Sequence, residues 1–307
     1  MAAPKYLPHL CNGKNEFELY NMKKILVPVD FSPNSFNALH IAAGIAHRSG
    51  AALEILHVNL SAIYSTPMSE YVVASGYNAI DEKYDESAMQ GLEKVKKELL
   101  AKKTFADLSI TLRVEEGFLH TCLRNVAQED DVDLIVMGTK GSSGMNEFLI
   151  GSNTEKVIRT APCPILAVPE GVKEFTPKLV LMPSTLKSDQ AGAFHYLGQW
   201  EKYYNFRVKV LYLNNPLGLS TDGSVEAAKN RMIEAAGLKK TDVVVTSGTL
   251  FEDDAILEAA DRYDAELVVM ATHQRQGLSH MMFGSVTEDT VNHSQIPVLA
   301  IPIGWRE

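Results

Sequence analysis

Asp133-Leu134-Ile135-Val136-Met137-Gly138-Thr139-Lys140-Gly141-Ser142-Ser143-Gly144-Met145-Asn146-Glu147-Phe148-Leu149-Ile150-Gly151-Ser152 decides how this chain is read. It opens as a short apolar run, passes through spaced glycines and closes where a helical pattern begins. A run of that length with turn residues behind it fits a strand buried on both faces. The run returns as Glu266-Leu267-Val268-Val269-Met270-Ala271, and Gly151-Ser152 returns as Gly284-Ser285. Working outward, Ile25-Leu26-Val27-Pro28 answers Leu179-Val180-Leu181-Met182-Pro183. Leu56-His57-Val58-Asn59 answers Leu211-Tyr212-Leu213-Asn214, and Pro164–Pro169 answers Pro297–Pro302. Pro183 trails Pro28 by 155 positions and Gly284 trails Gly151 by 133, so the second copy is the shorter. A repeat of this length is a domain duplication, not a solenoid.

Each copy alternates strand and helix. Lys24–Val29 reads as a strand, and Ser32-Pro33 opens a helix with serine as its cap and proline at its first position. Ser49-Gly50 closes that helix. Leu53–Val58 is a second strand. Residues 60–80 carry no clean period. Asp81–Lys103 follows as an amphipathic helix with Ala88, Leu92, Val95 and Leu99 on one stripe. Ser109–Val114, Asp133–Met137 and Ile165–Val168 are the remaining strands of the copy, with helices at Phe118–Glu129 and Gly151–Thr160. Strands separated by helices pair in parallel through right-handed crossovers. The expectation is two tandem doubly wound α/β domains rather than one ten-stranded sheet. Residues 1–21 form a poorly ordered extension, 22–169 the first domain, 170–177 a linker and 178–303 the second domain.

The chain has 307 residues, enough for two such domains. Its composition, 46% hydrophobic and 22% charged, is globular. The net charge of −9 argues against nucleic acid and anionic membranes as partners. No stretch is apolar enough to span a bilayer. Three cysteines, Cys11, Cys122 and Cys163, without a CxxC pair suit a reducing, cytoplasmic setting.

The glycine stretch leaves the carboxyl end of a strand and meets the start of a helix. Glycines let a backbone approach an anion closely. The first N–H groups of a helix are unpaired, and its dipole favours negative charge. Ser152 adds a donor and Lys140 a positive charge. This is phosphate-binding chemistry, although no GxxxxGK[ST] loop occurs. A tight turn with a capping serine is the plainer alternative. Asp30 ends the first strand as Gly138 ends the fourth. In a doubly wound sheet the ligand crevice opens where strand order reverses. If that point lies between these two strands, Asp30 and Gly138 share one crevice. A carboxylate repels phosphates, so Asp30 suits a ribose hydroxyl or a base amine. Its alternative is a cap for the helix at Ser32.

The spacing Gly138-x2-Gly141-x9-Gly151-Ser152 resembles the motif of the universal stress protein family. Pro28-Val29-Asp30-Phe31-Ser32 and Leu56-His57-Val58 extend the resemblance, which covers about residues 22–302. It implies a five-stranded parallel sheet of order 3-2-1-4-5 in each copy. It also implies ATP as the ligand, with Mg or Mn on the phosphates as an optional companion. The adenosine side then falls to Asp30 and the backbone of Val58. The glycine loop and the serine after it take the phosphates, and the resemblance implicates Met137, Gly138, Gly141, Gly151, Ser152 and Asn153, beside the Lys140 charge read above. The second copy departs from the pattern: Thr185 replaces Asp30, Ala271 replaces Gly138 and Gln274 replaces Gly141. That copy reads as degenerate for nucleotide.

The expected function is a stress-response module that binds an adenine nucleotide in its first domain. It has no assigned catalytic residue, an unidentified protein partner and no metal site of its own. Slow ATP hydrolysis is one alternative, and a structural protein without nucleotide is another. Family members pair through their last strands. The two copies are therefore expected to pack as an intramolecular pseudo-dimer, with Ile165–Val168 facing Val298–Ile301; dimers of whole chains are compatible but not required. His57 reads as a satisfied core histidine, Cys163 as a small buried hydrophobe, and His273 and His280 lack metal-ligand spacing.

Overall fold

The structure is a computed structural model. It describes residues 21–59, 77–139, 152–214, 222–247, 252–272 and 283–306. The first half runs β1 (Lys24–Pro28), α1 (Pro33–Ser49), β2 (Ala52–Asn59), α2 (Tyr77–Leu100), β3 (Ile110–Glu116), α3 (Leu119–Glu129), β4 (Leu134–Gly138), α4 (Ser152–Thr160) and β5 (Ile165–Val168). The second half runs β6 (Leu179–Ser184), α5 (Ala191–Trp200), β7 (Arg207–Asn214), α6 (Asp222–Ala236), β8 (Thr241–Ser247), α7 (Glu252–Arg262), β9 (Leu267–Thr272), α8 (Phe283–His293) and β10 (Val298–Pro302).

Helix α1 begins as the sequence requires. The Ser32 hydroxyl accepts from the Ser35 N–H at 3.2 Å, and Pro33 occupies the first turn, where an N–H has no partner to lose. It stops at Gly50, whose φ of 75° suits glycine, with the Gly50 N–H donating to the Ala46 carbonyl at 2.8 Å. The stripe on α2 lands as read: Ala88, Leu92 and Leu99 are buried and Val95 packs beside them. That helix starts at Tyr77, earlier than its apolar pattern shows, and ends at Leu100, ahead of a 3-10 turn at Lys103–Phe105.

The strands order as β3-β2-β1-β4-β5-β10-β9-β6-β7-β8. Within each half this is 3-2-1-4-5, and every pairing within a half is parallel. The halves join where β5 and β10 run antiparallel, with Ile165 opposite Ala300, Leu166 opposite Leu299 and Ala167 opposite Val298. This is the pairing of last strands expected from the sequence. Joined edge to edge, the two five-stranded units make one continuous ten-stranded sheet. The physical reason is the edge itself. An apolar edge strand must be covered or paired, and the second copy brings a matching edge on the same chain.

Side chains alternate across the sheet with the two-residue strand period. Ile25, Val27, Leu53 and Ile55 face the core under α1, α2, α5 and α6, whereas Leu26, Leu56 and Ile135 face the one under α3, α4, α7 and α8. Each core runs across both halves. The linker is tied down by Phe175, which packs edge-on to Trp200 and Tyr204.

Candidate functional site

In the first half β1 lies between β2 and β4, with Ile25 beside Leu134 and Leu26 beside Ile135. The chain leaves β1 toward β2 on one side and β4 toward β5 on the other. Strand order therefore reverses between β1 and β4, where a crevice opens at the carboxyl ends of a doubly wound sheet. Asp30 stands just past β1 and Gly138 is the last residue of β4. The two residues are at one switch point.

Asp30 is exposed, and its Oδ1 accepts from the Ser32 N–H at 3.0 Å. The Asp30 N–H donates to the Ser35 hydroxyl at 3.3 Å. The carboxylate thus closes a local turn ahead of α1, so the capping alternative holds in part. Phe31 follows with φ of 62°, a left-handed conformation uncommon for a bulky residue. Leu186, its counterpart after β6, has φ of 55°. The kink survives where the aspartate is lost. It marks the turn from strand toward helix in both halves.

Gly138 has a packing reason to be glycine. A Cβ there would lie 3.1 Å from the Asn34 carbonyl oxygen in the first turn of α1. The counterpart Ala271 faces a different helix start: α5 begins at Ala191, behind a 3-10 turn at Ser188–Gln190. Met137 is buried, with its side chain in the core under α3 and α4. Val58 is half-buried on β2, in register with Glu115. Ser152 opens α4 and Asn153 is exposed in its first turn. Lys140, Gly141 and Gly151 lie outside the described residues, as do Gln274, His273, His280 and residues 1–20. The structure thus brings Asp30, Gly138 and the strand end at Val58 to one sheet edge.

Two positioning groups escaped the sequence reading. Thr154 is buried, and its hydroxyl donates to the Gly138 carbonyl at 3.2 Å, tying α4 to the end of β4. Its spacing from Ser152 was the available signal. Ser35 links the turn at Asp30 to the Ser32 carbonyl, to which its hydroxyl donates at 3.0 Å.

The second half carries different groups at the corresponding positions. Ser184 donates to Gln190 Oε1 at 2.7 Å, and the Thr185 N–H and hydroxyl approach the same oxygen at 3.1 and 3.4 Å. Gln190 is buried. The backbone bond from Thr185 to Gln190 repeats the one from Asp30 to Ser35, with an amide oxygen in place of a hydroxyl. Among the described residues, no group of three or more His, Cys, Asp or Glu is placed to hold a metal ion.

On the other side of α4, Arg159 forms an ion pair with Glu155 at 2.5 Å and a two-pronged one with buried Glu288 of α8. At the opposite end of the strands, Arg306 Nη2 lies 2.9 Å from Asp133 Oδ1 and 2.6 Å from Asp131 Oδ1. Burial pushes the Asp133 carboxyl up from its ordinary range. The Lys23 and Lys24 N–H groups and Arg306 offset part of that. Burial likewise raises the Cys163 thiol, which packs as the small hydrophobe expected.

A repeated 3-2-1-4-5 sheet with a switch-point crevice in the first half defines a class of tandem doubly wound α/β proteins. The sequence model of the Universal stress protein family matches residues 21–169 and 211–302, and the chain belongs to that family. It is 36% identical over 147 residues to universal stress protein YxiE of Bacillus subtilis, covering 47% of this chain and 97% of that protein. It is 34% identical over 166 residues to a universal stress protein of Methanocaldococcus jannaschii, covering 53% of this chain and 88% of that one. The crystal structure of a universal stress protein from Archaeoglobus fulgidus superposes with a TM-score of 0.68 at 20% identity. That match covers 94% of this chain and all of the other, and it shows the shared fold. Among the described residues no helix is long and apolar enough to cross a membrane.

Proposed function

We propose that this chain binds ATP in the crevice of its first half, residues 22–169, and acts in the cytoplasm as a stress-response binding module rather than a fast enzyme. The observation that carries the reading is the placement of Asp30 and Gly138 after neighbouring strands at the reversal of strand order. Asp30 and the Val58 backbone take the adenosine. The glycine motif with Lys140, Ser152 and Asn153 takes the phosphates, because a helix start offers unpaired N–H groups and a favourable dipole. Mg or Mn, where present, rides on those phosphates and supplies charge neutralisation there. Met137 serves through its backbone, its side chain being committed to the core.

Gently purified full-length protein analysed by mass spectrometry tests the reading. Co-purified ATP is expected. Calorimetry on Gly141→Gln, which copies Gln274, should show binding abolished with an unchanged circular dichroism spectrum. Unchanged affinity would remove the phosphate assignment, and sustained turnover would favour the enzyme alternative.

A further inference from the structure

The ten-stranded sheet ends at β3 on one side and at β8 on the other, and among the described residues neither outer edge pairs with a further strand. A free edge presents a row of backbone N–H and C=O groups that can pair with another chain. Both strands are seven residues long, Ile110–Glu116 and Thr241–Ser247. They differ in the residue at the middle.

The bonds to the neighbouring strands show which backbone groups point outward. The Val208 N–H of β7 donates to the Lys240 carbonyl at 2.8 Å. Along a parallel pair, alternate residues turn their backbone groups to the neighbour. Asp242, Val244 and Thr246 therefore bond toward β7, and the backbone groups of Thr241, Val243, Val245 and Ser247 point outward. On β3 the Leu53 N–H donates to the Ser109 carbonyl at 2.9 Å. There Thr111, Arg113 and Glu115 bond toward β2, and the backbone groups of Ile110, Leu112, Val114 and Glu116 point outward.

A second copy meets such an edge about a two-fold axis, so the strands run antiparallel and the middle residue stands opposite itself. On β8 that residue is Val244. Val243 then stands opposite Val245 and Thr241 opposite Ser247. These are the outward-pointing residues, so each pair can exchange N–H and C=O groups. Asp242, which is exposed, falls opposite Thr246, a hydroxyl residue able to donate to a carboxylate. No like charges oppose each other. On β3 the same operation sets Arg113 against Arg113, and like charges directly opposite are destabilising. Arg113 is also engaged within its own chain, with Glu54 at 3.0 Å and Asp130 at 3.1 Å.

We propose that the β8 edge is the docking surface for a second copy of this chain, in an antiparallel pairing centred on Val244 that continues the sheet from one chain into the next. The β3 edges stay free at the two ends, so assembly closes at the dimer. The inference stands apart from the nucleotide reading.

Sedimentation equilibrium of the full chain from about 5 to 200 micromolar should show a reversible rise toward twice the mass of one chain. Hydrogen exchange resolved by residue should show the Val243 and Val245 amides better protected at the higher concentration. Val243→Pro removes an outward N–H and none of those that bond β7, a change edge strands tolerate. It should weaken dimerisation about tenfold or more, since each chain loses a hydrogen bond to the other, with an unchanged circular dichroism spectrum. Leu112→Pro, the matching change on β3, should leave dimerisation as in the parent. A parent chain that stays monomeric at the highest concentration overturns the proposal. So does a dimer whose Val243 and Val245 amides exchange as fast as in the dilute chain, a result that needs no variant to fold. Growth past the dimer overturns it too, because β8 pairing alone is closed.

Discussion

Leu166 and Leu299 stand opposite each other across the antiparallel β5–β10 pair, and both are fully buried. They occupy matching places in the two copies. The junction of the halves is therefore a pseudo-symmetric contact of the kind a homodimer makes with itself, closed here within one chain. The α4–α8 contact beside it brings Arg159 of one half onto Glu288 of the other.

Arg159→Ala should loosen this junction. It leaves the buried Glu288 carboxylate without its cation, and hydrogen bonds to charged groups contribute more than neutral ones. Arg159 is itself partly solvent-screened, so a stability loss of about 1–2 kcal/mol is expected rather than the larger figure for a dry pair. Urea unfolding of the full chain measures it. A midpoint equal to the parent's would show that the pair contributes nothing.

Arg306→Ala should carry a pH signature. A carboxyl whose titration is raised in the folded state holds its proton more tightly folded than unfolded. Its contribution is therefore complete at low pH and lost as pH rises through the folded titration. Removing Arg306 takes away one of the groups that offset burial at Asp133, moving that titration higher still. The variant should be destabilised at pH 7.5 and approach the parent as pH falls toward the Asp133 titration. A penalty that is constant with pH would mean the Asp133 ion pair is not its source.

Gly138→Ala tests the packing role of the glycine. The new methyl group would press on the Asn34 carbonyl at 3.1 Å, and α1 is pinned there by its Ser32 cap. Overpacking of this kind costs about 1 kcal/mol or more, a few degrees in Tm. A thermal melt and an ATP titration should both register the change. A melt unchanged from the parent would show that α1 yields freely.

Stoichiometry follows from the second half. With Thr185, Ala271 and Gln274 standing where the first half has Asp30, Gly138 and Gly141, the chain should bind one nucleotide, in the first half. Equilibrium dialysis returning two equivalent sites would contradict this.

Much of the fold was legible because its signals are local. The apolar run at Leu134–Gly138, the cap at Ser32 and the stop at Gly50 each act within a few residues of chain. Repetition then turned one domain into two. The glycine spacing after β4 and Asp30 after β1 marked candidate chemistry because ligand crevices gather at strand ends. The early start of α2 was not legible, since no apolar stripe marks its first turns.

What the sequence determined alone was the duplication, the alternation of strand and helix, and the positions at which the second copy departs from the first. Each of these rests on short-range pattern. Only the tertiary structure decided which strands became neighbours, and so that Asp30 and Gly138 share one switch point while 108 positions apart. It also decided that β5 and β10 fuse two sheets into one, because edge pairing depends on geometry brought from opposite ends of the chain. The partners of His57 were settled in the same way. Its ring lies between the Val29 carbonyl and the Asn59 amide, which Asp85 of α2 holds in turn, and no short window of sequence contains all of them.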